Sequence, residues 1–157
     1  MPALRKTRRI VSSEKSKSFM GSEFTNADIT SLKLEEYTYK LLGSESAGNV
    51  DCWKIEITPI SSDIATTYGY SKKISLIGKN DYVTRHTTYY DLDGGLLKET
   101  DVLEVKLVDK ANQKYLAVKT QMMNKQNGRS SKFALDNIVV NPNVKDSYFT
   151  TQYLEKP

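Results

Sequence analysis

One stretch decides the fold, and it reads VDCWKIEI over residues 50–57. Apolar and polar side chains alternate along it, which places Trp53, Ile55 and Ile57 on one face of a strand and polar side chains on the other. Pro59 ends the strand, because a proline has no N–H to donate to a central ladder. The stretch therefore predicts a β-strand with one apolar face.

Six further segments alternate with the same period and are predicted as strands. They span residues 34–42, 70–77, 82–91, 96–108, 115–123 and 130–141. Short polar loops separate them, and the loop with Asp93 and Gly94 is the strongest hairpin signal, because Asp-Gly favours a tight turn. Strands joined in this way predict an antiparallel meander of seven or eight strands.

Helix is scarce in the sequence. Residues 26–29 follow Thr25, whose side chain is a preferred helix N-cap, and residues 146–149 have room for one turn. After residue 32 little helix is available to cover an apolar sheet face, and a sheet of this size must curl, close or pack on a helix. We therefore predict a single, mainly β domain over residues 1–157: a curved antiparallel sheet with one or two short helices.

The composition excludes several classes of protein. The chain has 157 residues with 23 Lys or Arg and 19 Asp or Glu, and the resulting net charge of +4 is too small to predict an anionic partner. One cysteine and one histidine exclude an intramolecular disulfide and a Cys/His zinc site. No apolar run approaches the ~18 residues that span a bilayer.

Catalytic groups are few. His86 lies in a predicted strand without a GxSxG nucleophile elbow, and Cys52 lies on the polar face of its strand. The phosphate-binding motifs GxxxxGK[ST] and GxGxxG do not occur in the sequence. We therefore expect a protein that is not an enzyme, with no catalytic residues, no cofactor and no metal.

The first residues are basic, with four positive charges in residues 5–9. A secretion signal would continue with roughly 7–15 apolar residues, whereas residues 12–18 are polar and charged. The pattern predicts no signal peptide within this chain. A strand with its basic face in water is preferred here over a nuclear-localisation signal.

A sheet with one apolar face and little helix above it is suited to an apolar ligand. The candidate ligand-binding residues are those assigned to this concave apolar face: Trp53, Ile55, Ile57, Ile74, Leu76, Leu103, Val105, Leu116, Val118 and Phe133. A slip of one residue in any strand exchanges its two faces. An ordinary core is the competing interpretation for each of these side chains.

Two other classes of function remain open. Basic residues interleaved with Tyr68, Tyr70, Tyr82 and Tyr89 predict a stacking platform for single-stranded nucleic acid, although the sequence lacks the RNP-type motif. The second alternative is an interaction module, in which an unpaired sheet edge binds another copy of the chain to form a homodimer.

Five blocks of the sequence, taken in order, carry a family resemblance. They are Arg8-Arg9-Ile10 with SFMGSEFT (residues 18–25), YTYKLLG (37–43), YSKK (70–73), YYDLDGGLLK (89–98), and DSYF (146–149) with YLEKP (153–157). Together they resemble the outer-membrane lipoprotein-sorting protein family, relatives of the LolA and LolB lipoprotein carriers. The blocks run almost from end to end, so the resemblance is specific to the family and much less specific to the cargo.

The resemblance implies a strongly curved antiparallel half-barrel, closed over by short helices, whose concave apolar face holds acyl chains of a lipoprotein or lipid in the periplasm. It implies a carrier in outer-membrane lipoprotein sorting or lipid transport, with an inner-membrane transporter as a partner and no nucleic acid. Members carry a further N-terminal portion, so this chain resembles the C-terminal half to two-thirds of such a protein. The family's lid-locking arginine lies in that portion, and no such role is assigned to Arg5, Arg8 or Arg9.

Overall fold

The computed structural model describes residues 10–140 and 142–155. The predictions made for the basic start, with Arg5, Arg8 and Arg9, lie outside the described residues, as do the last two residues of the sequence. Within the described part, seven antiparallel strands form one curved, unclosed sheet with three short α-helices. The mainly β, curved antiparallel fold is therefore confirmed.

The strands follow one another across the sheet in chain order. They are β1 (Tyr37–Ala47), β2 (Val50–Pro59), β3 (Lys72–Gly78), β4 (Thr84–Tyr90), β5 (Leu96–Asp109), β6 (Lys114–Asn124) and β7 (Ser130–Ala134). The predicted turn at Gly94 joins β4 to β5, with a φ of 85° at the glycine. The strand predicted over residues 82–91 begins later, because Tyr82 has a φ of 57° that belongs to the preceding turn.

Three α-helices and three single-turn 3₁₀ helices complete the fold. The α-helices are α1 (Asn26–Ile29), α2 (Ser62–Tyr68) and α3 (Thr151–Leu154), and the 3₁₀ helices are Ser12–Glu14, Leu34–Glu36 and Asp146–Phe149. Thr25 caps α1 as predicted: its Oγ1 accepts a hydrogen bond from the Asp28 N–H at 3.3 Å, and its own N–H donates to Asp28 Oδ2 at 2.7 Å.

Helix α2 is absent from the sequence-based prediction. It begins after Ser61, whose Oγ accepts a hydrogen bond from the Ile64 N–H at 3.3 Å, and it ends at Gly69 with a left-handed φ of 79°. The Ser-to-Gly spacing was the available signal, since serine favours the N-cap and glycine the residue after the helix. The helix buries Tyr68 and supplies part of the cover that the sequence appeared to lack after residue 32.

The sheet has two different faces. Residues 14–29 and α2 pack on one of them, here called the covered face, and the opposite one is the open face. The covered face carries a tyrosine cluster, formed by Tyr37, Tyr68, Tyr70 and Tyr89, which packs around Ile57. The hydroxyls of Tyr37 and Tyr70 are hydrogen-bonded at 2.8 Å. Most of the buried apolar surface therefore lies where α2 and the N-terminal residues meet the sheet.

We expect Gly69→Ala to lower the free energy of unfolding by about 2 kcal/mol, because left-handed backbone costs an L-residue about 1–2 kcal/mol and the new methyl group is crowded. The added Cβ would lie 3.0 Å from Ser16 Cβ. Gly128→Ala is the matched control, since its φ is 74° and no atom lies within 4 Å of the added Cβ. Urea denaturation measures both variants, and equal losses would contradict the contact with Ser16.

Candidate functional site

The candidate residues of β2 lie on the covered face. Ile57 is directly opposite Lys73 of β3, which is opposite Tyr89 of β4, a member of the tyrosine cluster. Residues directly opposite one another share a face, and alternate residues along a strand do so too. Trp53 and Ile55 therefore lie on the same face as Ile57, as the alternation in β2 predicts.

The structure corrects the face assigned to β3. Ile74 is opposite Glu56 and Leu76 is opposite Lys54, so both point to the open face rather than joining the apolar residues of β2. Lys73 occupies the covered face in their place. Because the residue that β3 turns toward the core is a lysine, hydrophobicity alone selects the wrong face of this strand.

Two candidates from β5 and β7 lie on the covered face. Val105 is opposite Ala117 of β6, and Phe133 is opposite Thr120. Ala117, Thr120 and Phe133 line one cavity beneath residues 24–29. These strands therefore extend the covered face beyond the tyrosine cluster.

The last three candidates lie at or beside irregularities of the β5–β6 ladder. Leu116 is opposite Lys106 and lies on the open face, which corrects its assignment. Leu103 and Val118 lie where the register shifts, so the strict alternation used to assign them does not hold there. Val118 is fully buried, whereas Leu103 is 49% exposed and borders the open face beside Leu76.

A partly open, mainly apolar cavity of about 260 Å³ lies between the N-terminal residues and the covered face. Its lining consists of Phe24, Asp28, Ile29, Tyr89, Thr100, Ala117, Thr120, Met122 and Phe133. The rings of Phe24 and Phe133 meet edge to face with centroids 6.2 Å apart, and Met122 is 1% exposed. Of the ten candidates only Phe133 lines this cavity. The sequence offered one signal for the rest of this cavity. Phe24 and Ile29 are apolar and lie directly before the N-cap Thr25 and at the end of α1.

Glu23 attaches the N-terminal residues to the far strands of the sheet. Its backbone N–H donates to Ser131 Oγ at 3.0 Å, and its carboxylate accepts a hydrogen bond from Asn124 Nδ2 at 3.0 Å. The same carboxylate forms an ion pair with Arg129 Nε at 3.2 Å. These contacts hold Phe24 over β6 and β7, where the cavity forms.

Asp28 makes a second attachment at the cavity wall. Its Oδ2 accepts a hydrogen bond from Lys98 Nζ at 2.6 Å and also from the backbone N–H and hydroxyl of Thr25. Lys98 is only 5% exposed, and its ammonium lies 5.0 Å from the centre of the Tyr89 ring. A buried ion pair of this kind is stable only when the remaining hydrogen-bonding groups of both side chains are satisfied. Thr25 supplies such hydrogen bonds to the Asp28 carboxylate.

Three solved structures resemble this chain. A domain described as an outer membrane lipoprotein-sorting protein, from Vibrio parahaemolyticus, has a TM-score of 0.87 and 28% identity over 99% of this chain and 64% of that chain. A DUF1329 family protein from Desulfovibrio piger has a TM-score of 0.84 and 26% identity over 94% of this chain and 59% of that one. A LolA superfamily protein from Nitrosomonas europaea shares the fold, with a TM-score of 0.62 and 19% identity over 98% of this chain and 65% of that one.

The sequence model of a family described as "Uncharacterized protein" matches residues 1–156. The chain belongs to this family, and its fold is LolA-like. It spans about three fifths of the length of the solved relatives, between 59% and 65%. A comparison with curated proteins finds no match. The LolA-like neighbours thus give a lipoprotein-sorting or carrier fold.

Three hydroxyls of the tyrosine cluster stay protonated at neutral pH. Burial raises the pKa of the Tyr37, Tyr70 and Tyr89 hydroxyls well above the usual range. At the edge of the cluster the Tyr68 hydroxyl donates to Glu36 and accepts from Lys15 Nζ. Groups that pack on the covered face therefore contact aromatic rings and protonated hydroxyls.

Lys73 lies inside this aromatic environment. Its ammonium is 5.6 Å from the ring centres of Tyr37 and Tyr70 and 5.7 Å from that of Tyr89. Burial lowers the pKa of Lys73 to about 8, while Asp28 opposes that shift. The group is still mostly protonated at neutral pH and is stabilised by the faces of the three rings.

The tyrosines proposed as a stacking platform for nucleic acid are not arranged as one. Tyr68, Tyr70 and Tyr89 are buried in the core, so their ring faces are already occupied by neighbouring side chains. Tyr82 is 73% exposed, but it lies against Trp53 with ring centres 5.8 Å apart. Stacking of successive bases requires exposed rings side by side, and these four residues do not provide them.

The open face carries the two residues that were considered above as catalytic groups, His86 and Cys52. His86 Nδ1 is hydrogen-bonded to Asp101 Oδ1 at 2.7 Å and Nε2 to Thr88 Oγ1 at 3.1 Å, and the Cys52 thiol is fully buried. Among residues 10–140 and 142–155, no group of three or more His, Cys, Asp or Glu side chains is placed to hold a metal ion. The same residues contain no helix with the length and hydropathy to cross a membrane.

We expect Lys73→Met to raise the free energy of unfolding at pH 7 by about 1–3 kcal/mol, because a buried charge is replaced by an apolar group of similar volume. The pKa of Lys73 is about 8 in the folded protein and 10.5 in an exposed side chain. The free-energy cost of burying the charge is therefore at its full value below pH 8 and falls as the pH rises from 8 to 10.5. The gain should therefore shrink by about half or more at roughly pH 9.5.

Urea denaturation at both pH values measures this gain. Lys72→Met is the control, because Lys72 faces the open side, is 40% exposed and pairs with Glu56. A gain at Lys73 that does not depend on pH would contradict the burial of its charge.

Proposed function

We propose that this protein is a non-enzymatic carrier that binds an acyl chain of a lipoprotein or lipid on the covered face of its sheet. The observation that carries the proposal is the apolar cavity between Phe24 and Ile29 on one side and Met122 and Phe133 on the other. Burial of apolar surface drives such binding at ~25 cal/mol per Å² and needs no catalytic groups.

The size of the cavity supports this ligand class. An apolar protein cavity of about 150 Å³ already binds benzene. The cavity here, of about 260 Å³, is larger and is bounded by side chains without charge except Asp28, which is already paired with Lys98. Part of one acyl chain is the occupant that suits this volume and lining.

The proposed setting is lipoprotein sorting or lipid transport at the outer membrane, in the periplasm of the source cell. The likeness to the domain from Vibrio parahaemolyticus supports this setting, since that protein is described as an outer membrane lipoprotein-sorting protein. An inner-membrane transporter as the donor of the cargo belongs to the same proposal.

We expect Thr120→Trp to weaken binding of a neutral acyl probe, the methyl ester of dansyl-labelled undecanoic acid, at least about tenfold, because the indole fills the cavity. Gln121→Trp is the matched control: it places the same side chain one residue along β6, on the open face opposite Asp101. Dansyl fluorescence measures the dissociation constant, and circular dichroism checks that both variants are folded.

The binding should change little between low and high salt, because the probe is uncharged. Loss of binding in Gln121→Trp with retention in Thr120→Trp would place the ligand on the open face. Failure of the native chain to bind both the ester and the corresponding free acid would overturn the carrier proposal.

A second candidate function is an interaction module that uses the edge of the sheet. β1 is an edge strand of 11 residues, and Leu41 on it is 64% exposed. A long exposed edge offers unpaired N–H and C=O groups to another strand. Light scattering at high protein concentration should then detect a homodimer, and a monomer at every concentration would contradict this candidate.

A further inference from the structure

Three residues form a row across the middle of the covered face. Lys73 of β3 is directly opposite Tyr89 of β4, and Tyr89 is directly opposite Lys98 of β5. The two ammonium groups lie 5.7 and 5.0 Å from the centre of the same Tyr89 ring. The fold therefore brings two cations to one aromatic ring in the interior, which is an unusual use of core positions.

The charges around this ring do not balance. Lys98 is paired with Asp28 at 2.6 Å, and Thr25 satisfies further hydrogen bonds of that carboxylate. In the described part of the chain, Lys73 has three tyrosine rings around its ammonium and no carboxylate at ion-pair distance. Of these two lysines on the covered face, Lys98 therefore has a carboxylate partner, whereas the charge of Lys73 is not compensated by one among the described residues.

The uncompensated charge lies next to Tyr89, a residue of the cavity wall. Tyr89 lines the cavity on one side, and its ring is one of the three around Lys73. Asp28 lines the cavity too, yet its carboxylate is occupied by Lys98 and Thr25. An amphiphile whose tail lies between Phe24 and Phe133 and whose polar end reaches past Tyr89 would meet the Lys73 ammonium.

We propose that the acyl ligand of this protein is anionic and that the Lys73 ammonium binds its carboxylate or phosphate head group. The proposal rests on the proposed carrier function and names the class of ligand that the cavity selects. The lowered pKa of about 8 supports it, because an anion beside Lys73 would supply the charge partner that burial withholds from it.

A purely structural role for Lys73 is the alternative, in which the three rings are its sole partners. Cation–π contacts stabilise a folded protein but do not distinguish an anionic ligand from a neutral one. The discriminating measurement is therefore the ratio of affinities for two probes with the same chain and different head groups.

The experiment compares dansyl-labelled undecanoic acid with its methyl ester in the native chain, in Lys73→Met and in Lys72→Met. We expect the native chain to bind the acid about tenfold more tightly than the ester, since a hydrogen bond to a charged group is stronger than one between neutral groups. Lys73→Met should reduce this ratio to about one and leave the affinity for the ester unchanged, because the cavity is intact.

Lys72→Met is the matched control. It removes the same charge from the neighbouring residue, whose ammonium lies 5.0 Å from the Tyr90 ring and 3.5 Å from Glu56 on the open face. This variant should keep the native preference for the acid. Loss of the preference in Lys72→Met as well would show that the overall charge sets it and would overturn the proposal.

Competition separates the sources of the anion. Dodecyl phosphate should displace the labelled acid, whereas millimolar inorganic phosphate or acetate should not; displacement by the free anions would contradict an amphiphilic ligand. Equal affinity of the native chain for acid and ester would overturn the role of Lys73 and leave the carrier function standing. Binding of neither probe would overturn both.

Discussion

Asp28 of α1 and Lys98 of β5 meet at 2.6 Å with both side chains almost excluded from water, and this ion pair joins the N-terminal residues to the sheet. A one-sided apolar sheet needs a cover, and here the cover is a short segment with little helix of its own. Such a segment cannot stay in place through propensity, because a helix of one turn is unstable alone. The cavity depends on two polar anchors, Asp28 at its wall and Glu23 toward β7.

The covered face combines two kinds of surface that hydrophobicity scales treat as opposites. Around Met122 and Phe133 it is apolar, whereas around Tyr89 it holds lysines between aromatic rings. Aromatic rings make this possible, since their faces attract cations while their edges pack like other apolar groups. The face is thereby suited to a ligand with an apolar body and a charged end, which a uniformly apolar core would not be.

Prediction from the sequence succeeded where one local rule determined the structure. Trp53, Ile55 and Ile57 share one face, as the alternation in β2 predicts, and Thr25 caps α1 because an N-cap is a local hydrogen-bonding pattern. Prediction failed in β3, where Lys73 faces the core. The sequence records that residue as polar, while its burial depends on tyrosines that come from β1, β4 and the second residue after α2.

The sequence alone determined that this chain forms an antiparallel meander, because strand period and turn residues are local properties. The small numbers of cysteine and histidine also limited the chemistry before any coordinates were considered. Tertiary structure decided which side of β3, and of β6 beyond its bulge, faces the core. It also decided that Phe24, Met122 and Phe133 enclose one cavity. Those outcomes depend on contacts between residues as far apart as Asp28 and Lys98, and no local pattern encodes the distance between them.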